Sequence, residues 1–201
     1  MTEFLARCAK PTTEQKHSRT GLSGEAGIWI FVAGDLIVFT LFFVLVALGY
    51  RNQSGIFFES AATLNVTTGV TNTILLLTGS WFVATGIERM KNGPDPRTAR
   101  HFSLATLCGV AFIVNKYFEW RRELSQGMTT ATNEFYMYYF VFLGIHLFHV
   151  ILGVAALQFA RHVSLRPKIS LLERRSVESA AIFWHLVDLL WVILFALFYL
   201  F

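Results

Sequence analysis

The sequence predicts an all-α polytopic membrane protein, a five-transmembrane-helix antiparallel bundle, and three observations carry that prediction. Hydrophobic residues make up 54% of the 201-residue chain and charged residues 15%, short of the roughly one quarter charged that soluble domains carry. The apolar residues gather into blocks of about 20, the length that crosses ~30 Å of hydrocarbon at ~1.5 Å per residue. Lys and Arg sit beside those blocks, where they act as topology signals. The net charge of +4 therefore points to a membrane surface, and no nucleic-acid partner is expected.

The elements follow in order. Residues 1–25 form a basic tail with no apolar core before Gly27, so no cleavable signal is expected and the first span itself would direct insertion. The spans are expected at residues 26–49, 66–87, 101–118, 135–160 and 180–201, making one membrane domain over 26–201. The third is short and contains Lys116, with Arg100 and Arg121–Arg122 as flanks. Asn92-Gly-Pro-Asp-Pro96 breaks the chain after the second span, and Arg166-Pro167 after the fourth. Cys8 in the tail and Cys108 in a span lie in different environments, so no disulfide is expected.

Counting basic residues by side sets the orientation. Arg7, Lys10, Lys16 and Arg19 lie in the tail, Arg89, Lys91, Arg97 and Arg100 in the second-to-third loop, and Arg161, Arg166, Lys168, Arg174 and Arg175 in the fourth-to-fifth loop. That is thirteen of the seventeen Lys and Arg. Arg51, Arg121 and Arg122 fall on the other side. The positive-inside rule then places the N-terminus in the cytoplasm and the C-terminus in the periplasm. The loop cations Arg89, Lys91, Arg161, Arg166, Lys168, Arg174 and Arg175 also form a rim suited to anionic lipid headgroups.

Ionisable side chains inside a span cost about 2.5–3.5 kcal/mol on insertion scales, so each must face protein, water or a partner. Depth at ~1.5 Å per residue puts Asp35, Asp188, Thr78 and His149 in one layer about 12–16 Å from the cytoplasmic end, and His185 at about 8 Å. His146, Asn72 and Lys116 fall in a second layer at about 21–22 Å, with Glu119 one turn further out. Lys116 and Glu119 are i and i+3 on one helix, close enough to pair. Such a pair is structural or part of a proton path. Asp35 is an interhelical hydrogen-bonding group or a protonatable one, since a lone buried acid titrates upward. His146/His149 and His185/Asp188 repeat the i, i+3 spacing and suit helix-to-helix hydrogen bonds, or haem ligation in a small b-type cytochrome. The polar second span and the His/Asp-bearing fifth span are expected to face protein. Asp35, His149 and Asp188 are expected to meet. No nucleophile, zinc or phosphate-loop motif is present, so no catalytic residue, metal or cofactor is assigned to the chain itself.

Four segments then resemble one family. Glu178-Ser-Ala-Ala-Ile-Phe-Trp-His-Leu-Val-Asp-Leu-Leu-Trp191 resembles the last helix of subunit III of haem–copper oxidases, in which a Glu precedes W-H-x-V-D-x-x-W. Gly144-Ile-His-Leu-Phe-His-Val-Ile-Leu-Gly153 resembles that family's G-x-H-x-x-H-V-x-x-G helix. Phe31 to Phe39 resembles its first shared helix, with Asp35 where many members carry a buried Glu, and Lys116-Tyr-Phe-Glu-Trp120 resembles its Q-x-x-E-[YW] segment. The match runs in order from about Gly21 to Phe201. The two extra N-terminal helices of seven-helix members are missing. Lys116 in place of Gln, with the run Thr132 to Phe140, is most similar to the branch associated with bacterial nitric-oxide reductase.

The resemblance implies an accessory, cofactor-free subunit, in the bacterial inner membrane, that packs on a catalytic haem-carrying subunit in aerobic respiration or denitrification. It implies support of assembly and stability rather than activity of its own. The cleft that holds phospholipid in seven-helix members cannot form within this chain, so bound phospholipid would sit at an interface. A proton- or ion-conducting protein remains the alternative that Asp35, Asp188, Lys116 and Glu119 suggest.

Overall fold

The computed structural model describes residues 26–91 and 95–200; the basic tail, the Gly93-Pro94 breaker and Phe201 lie outside the described residues. All described secondary structure is helical: α1 Ala26–Asn52, α2 Ser54–Thr63, α3 Val66–Lys91, α4 Pro96–Ser125, α5 Glu134–Ser164 and α6 Leu171–Phe195, closed by a π-helical turn, Ala196–Leu200. Four helical stretches are long and apolar enough to cross a membrane, namely Gly27–Asn52, Val66–Lys91, Glu134–Ser164 and Leu171–Leu200. Helix α4 has 30 residues, length enough to span, but its basic ends and the Lys116/Glu119/Glu123 row make it more polar than those four.

Every helix outruns its apolar core. The ends are polar, helix-forming and locally capped, so an apolar block marks only the middle of the helix. Helix α6 starts nine residues before the block at 180, where Ser170 and Glu173 form a capping box. Asp95 accepts from the Arg97 amide at 2.8 Å and opens α4, and Asn133 accepts from Tyr136 to open α5. Helix α4 ends where Gly127 adopts φ +81°, a left-handed cap that a glycine takes without strain. Helix α2, in the stretch read as a connection, is held by Thr63 Oγ1 and Tyr136 Oη 2.6 Å apart and by Asn133 donating to Ser60 at 2.9 Å.

Helices α3, α4, α5 and α6 form a square in which neighbours run antiparallel. Asn72 meets Asn115 and Gly86 meets Phe102 across α3/α4, Phe112 meets His146 across α4/α5, and Gly153 meets Trp184 across α5/α6. Thr73–Trp191 and Ser80–His185 tie α3 to α6. The centre of the square is Trp184, fully buried. Glycines from the three other helices, Gly79, Gly109 and Gly153, face its indole, and a Cβ built on Gly109 or Gly153 would lie 2.8 or 2.9 Å from it. Close backbone approach around one large side chain is how helices pack where water supplies no driving force. Helix α1 lies outside the square, against α5 and α6 through Phe42–Phe142 and Phe31–Phe183. Cys108 is a free thiol.

The second span was expected to be largely protein-facing; within this chain alone it is buried no more than α5. One third of α3's apolar window is buried, as for α5, against 56% for α6. The reason is local: Thr71 and Thr85 bond the carbonyls of Thr67 and Trp81 in their own helix, so their hydroxyls face outward at little cost.

Candidate functional site

The polar side chains inside the bundle gather into separate clusters. The largest surrounds Lys116, which is 1% exposed. Its Nζ donates to Glu119 Oε2 at 3.1 Å and to Tyr199 Oη at 2.7 Å, and lies 5.0–5.6 Å from the ring centroids of Trp191, Tyr199 and Tyr139. Glu119 Oε1 accepts from Tyr139 at 2.6 Å and also from Tyr199. A buried charge pair is tolerable when the remaining donors and acceptors are filled, and here two phenols fill the carboxylate while three rings face the ammonium. The i, i+3 spacing disclosed the ion pair. It could not disclose Tyr139 and Tyr199, 20 and 80 residues from Glu119. The π-helical turn, which inserts an extra residue per turn, carries Tyr199. Glu123, one turn beyond Glu119, is also buried.

Asp35 and His149 form a second cluster, with Asp35 Oδ1 3.3 Å from His149 Nε2. His149 Nδ1 lies 2.8 Å from the Ile145 carbonyl, an acceptor only, so Nδ1 carries the hydrogen. Nε2 is the nitrogen that faces the Asp35 carboxyl.

Asp188 does not join this pair. Its carboxyl lies beside Ser80 of α3, whose Oγ lies 2.5 Å from His185 Nδ1. The depths of Asp35, His149 and Asp188 do match; their azimuths do not, because depth counting fixes height along a helix and not the side it faces. His149 looks from α5 to α1, Asp188 from α6 to α3.

Asn72, fully buried, accepts from Asn115 at 2.7 Å, a partner the sequence did not suggest. His146, also buried, has its ring 5.5 Å from Trp191 and 5.9 Å from Phe112, with neither nitrogen hydrogen-bonded to a described residue. His146, His149 and His185 thus occupy three separate environments, and among the described residues no group of three or more His, Cys, Asp or Glu that could hold a metal ion is found.

The loop cations collect at one end. Arg89 pairs with Asp95 at 3.3 Å, Arg166 with Glu173, and Arg174 with Glu178 at 3.6 Å, while Lys91, Arg161, Lys168 and Arg175 are exposed. The backbone amide of Arg97 and the nearby Arg89 guanidinium hold the Asp95 carboxyl below the usual aspartate range.

Comparison with known proteins bears on what this bundle is. The family model for cytochrome c oxidase subunit III matches residues 9–201. The chain belongs to the cytochrome c oxidase subunit III family. Cytochrome c oxidase subunit 3 of Bacillus sp. (strain PS3) is 25% identical over 93% of this chain and 90% of its own length, and quinol oxidase subunit 3 of Bacillus subtilis is 26% identical over 91% and 89%. A third relative, the "Heme-copper oxidase subunit I+III" of Aeropyrum pernix, is 28% identical over 88% of this chain, which spans only 22% of that longer protein. Within this subunit III chain, the Asp35, Lys116, His146/His149 and His185/Asp188 positions all fall inside the matched range.

Proposed function

We propose that this chain is an accessory subunit of a respiratory haem–copper enzyme complex, that it packs on the catalytic haem-carrying subunit, and that it supports that subunit's assembly and stability. The observation that carries the reading is the family match over residues 9–201; a relative named as subunits I and III in one chain supports the choice of neighbour. The interior agrees with a structural role, since Lys116 and Glu119 of α4 are held by Tyr139 and Tyr199 from other elements and Asp35 of α1 meets His149 of α5.

In this reading all five long helices span the bacterial inner membrane. Helix α4 runs antiparallel between α3 and α5, meeting α3 from Asn72–Asn115 to Gly86–Phe102, about 21 Å of helix, so it crosses whatever layer they cross. The basic end that holds Arg89, Lys91, Arg161, Lys168 and Arg175 is cytoplasmic, contacts anionic headgroups, and leaves the C-terminus periplasmic. No cofactor is assigned to the chain, and phospholipid would bind at its interfaces.

The departure at Lys116 keeps a second reading in view, a partner of the nitric-oxide-reductase kind, because Lys116 and Tyr139, which lies within the Thr132–Phe140 run, meet in one cluster. Membranes with and without this chain separate the possibilities. The proposal expects less haem-carrying subunit without the chain, and the activity lost, oxygen or nitric-oxide reduction, names the partner. Unchanged haem content and both activities intact would contradict it.

A further inference from the structure

The outer surfaces of the bundle are not alike. Helix α1 shows Ile30, Ile37, Leu41 and Leu45 outward, a face with nothing to hydrogen-bond and well matched to lipid. The α3/α6 side carries a groove of about 270 Å³ lined by Ala84, Ile87, Ala181, Ile182 and His185 together with the charged Lys91 and Glu178. His185 is exposed there, followed along α6 by exposed Leu189 and Val192. Its Nδ1 is engaged by Ser80, and Nε2 makes no hydrogen bond with a described residue. Asp188, 8% exposed and beside the same Ser80, has no hydrogen bond at Oδ1 from a described residue. The exposed threonines satisfy themselves on their own helix carbonyls. An imidazole Nε2 held away from its own backbone has no such recourse, and hydrocarbon offers it no partner.

We infer that the α3/α6 groove is the face on which a transmembrane helix of the haem-carrying subunit docks, presenting a hydrogen-bonding side chain to His185 Nε2, while the α1 face is left to lipid. This rests on the assignment of the chain to such a complex. Ala84 and Ala181 permit the close backbone approach that helix pairs in membranes require. The Aeropyrum pernix relative, named as subunits I and III in one chain, supports a haem-carrying neighbour as the occupant.

The test uses the intact complex in native membranes. A benzophenone amino acid replaces Leu189 beside the groove or Leu41 on α1, and cross-linked products are identified by haem content and mass. Cross-linking of the haem-carrying subunit from Leu189, severalfold above that from Leu41, is expected. A cross-link from Leu41 with none from Leu189, in a complex that still co-purifies, overturns the assignment of the face. If no haem-carrying subunit accompanies even the unaltered chain, the functional reading falls first and this one with it. In parallel, His185→Leu is expected to lower recovery of the haem-carrying subunit about threefold to tenfold, the factor of one interhelical hydrogen bond, and His185→Gln to retain it. Equal recovery with both would overturn the hydrogen bond to His185.

Discussion

At the scale of residues, protons and charges decide what each buried group tolerates. Asp35 faces a histidine nitrogen that accepts a hydrogen bond when neutral. Asp35→Asn still donates to it and is expected to leave thermal stability in detergent near native. Asp35→Leu strands Nε2 and should cost about 0.6–2 kcal/mol, the range of interhelical hydrogen bonds in membranes; equal loss in both variants would contradict the pairing. Lys116 is a stiffer case. Lys116→Met leaves Glu119 buried among phenols without its cation, and breaking a buried pair on one side costs about 3–5 kcal/mol. Lys116→Met with Glu119→Gln removes both charges and should recover part of that loss in denaturation experiments. The spacing of Lys116 and Glu119 made their pairing legible in the sequence. Asp188 was misplaced toward Asp35 because one residue is 100° of helix rotation, which depth alone does not register.

At the scale of elements, apolar blocks located five helices but not their ends. The extensions of α4 and α6 are built from caps and charged first turns, and α2 is ten residues too polar in pattern to register as a span and too short to be one. Packing around Trp184 was equally hidden, because glycines at 79, 109 and 153 carry no side chain to announce a contact. Their role makes a sharp forecast: Gly109→Ala or Gly153→Ala places a methyl against the indole and should destabilise by about 1–3 kcal/mol, as overpacked cores do. Gly34→Ala on α1, where a Cβ meets nothing within 4 Å, is the control expected to be neutral or better. The start of α4 should respond to acid. Asp95 has a lowered folded-state pKa, so its contribution is present above the ordinary aspartate value of about 4 and is lost as pH falls through the folded value. Amide exchange at the first turn of α4 should quicken below that pH, and Asp95→Asn should remove the dependence.

At the scale of the whole molecule, a four-helix square stitched by paired polar groups, with one further helix leaning against it, fits a unit that completes a larger membrane assembly. Its family membership is shown over residues 9–201. The role within a complex is the claim that most needs a direct test. Affinity purification of the tagged chain from its native membranes, with a reduced-minus-oxidised absorption spectrum of the eluate, provides it. The account predicts haem bands that follow a co-eluting larger membrane subunit and disappear when that subunit is stripped away. A chain that elutes alone without haem, or that retains the haem bands once every other subunit has been removed, would contradict it.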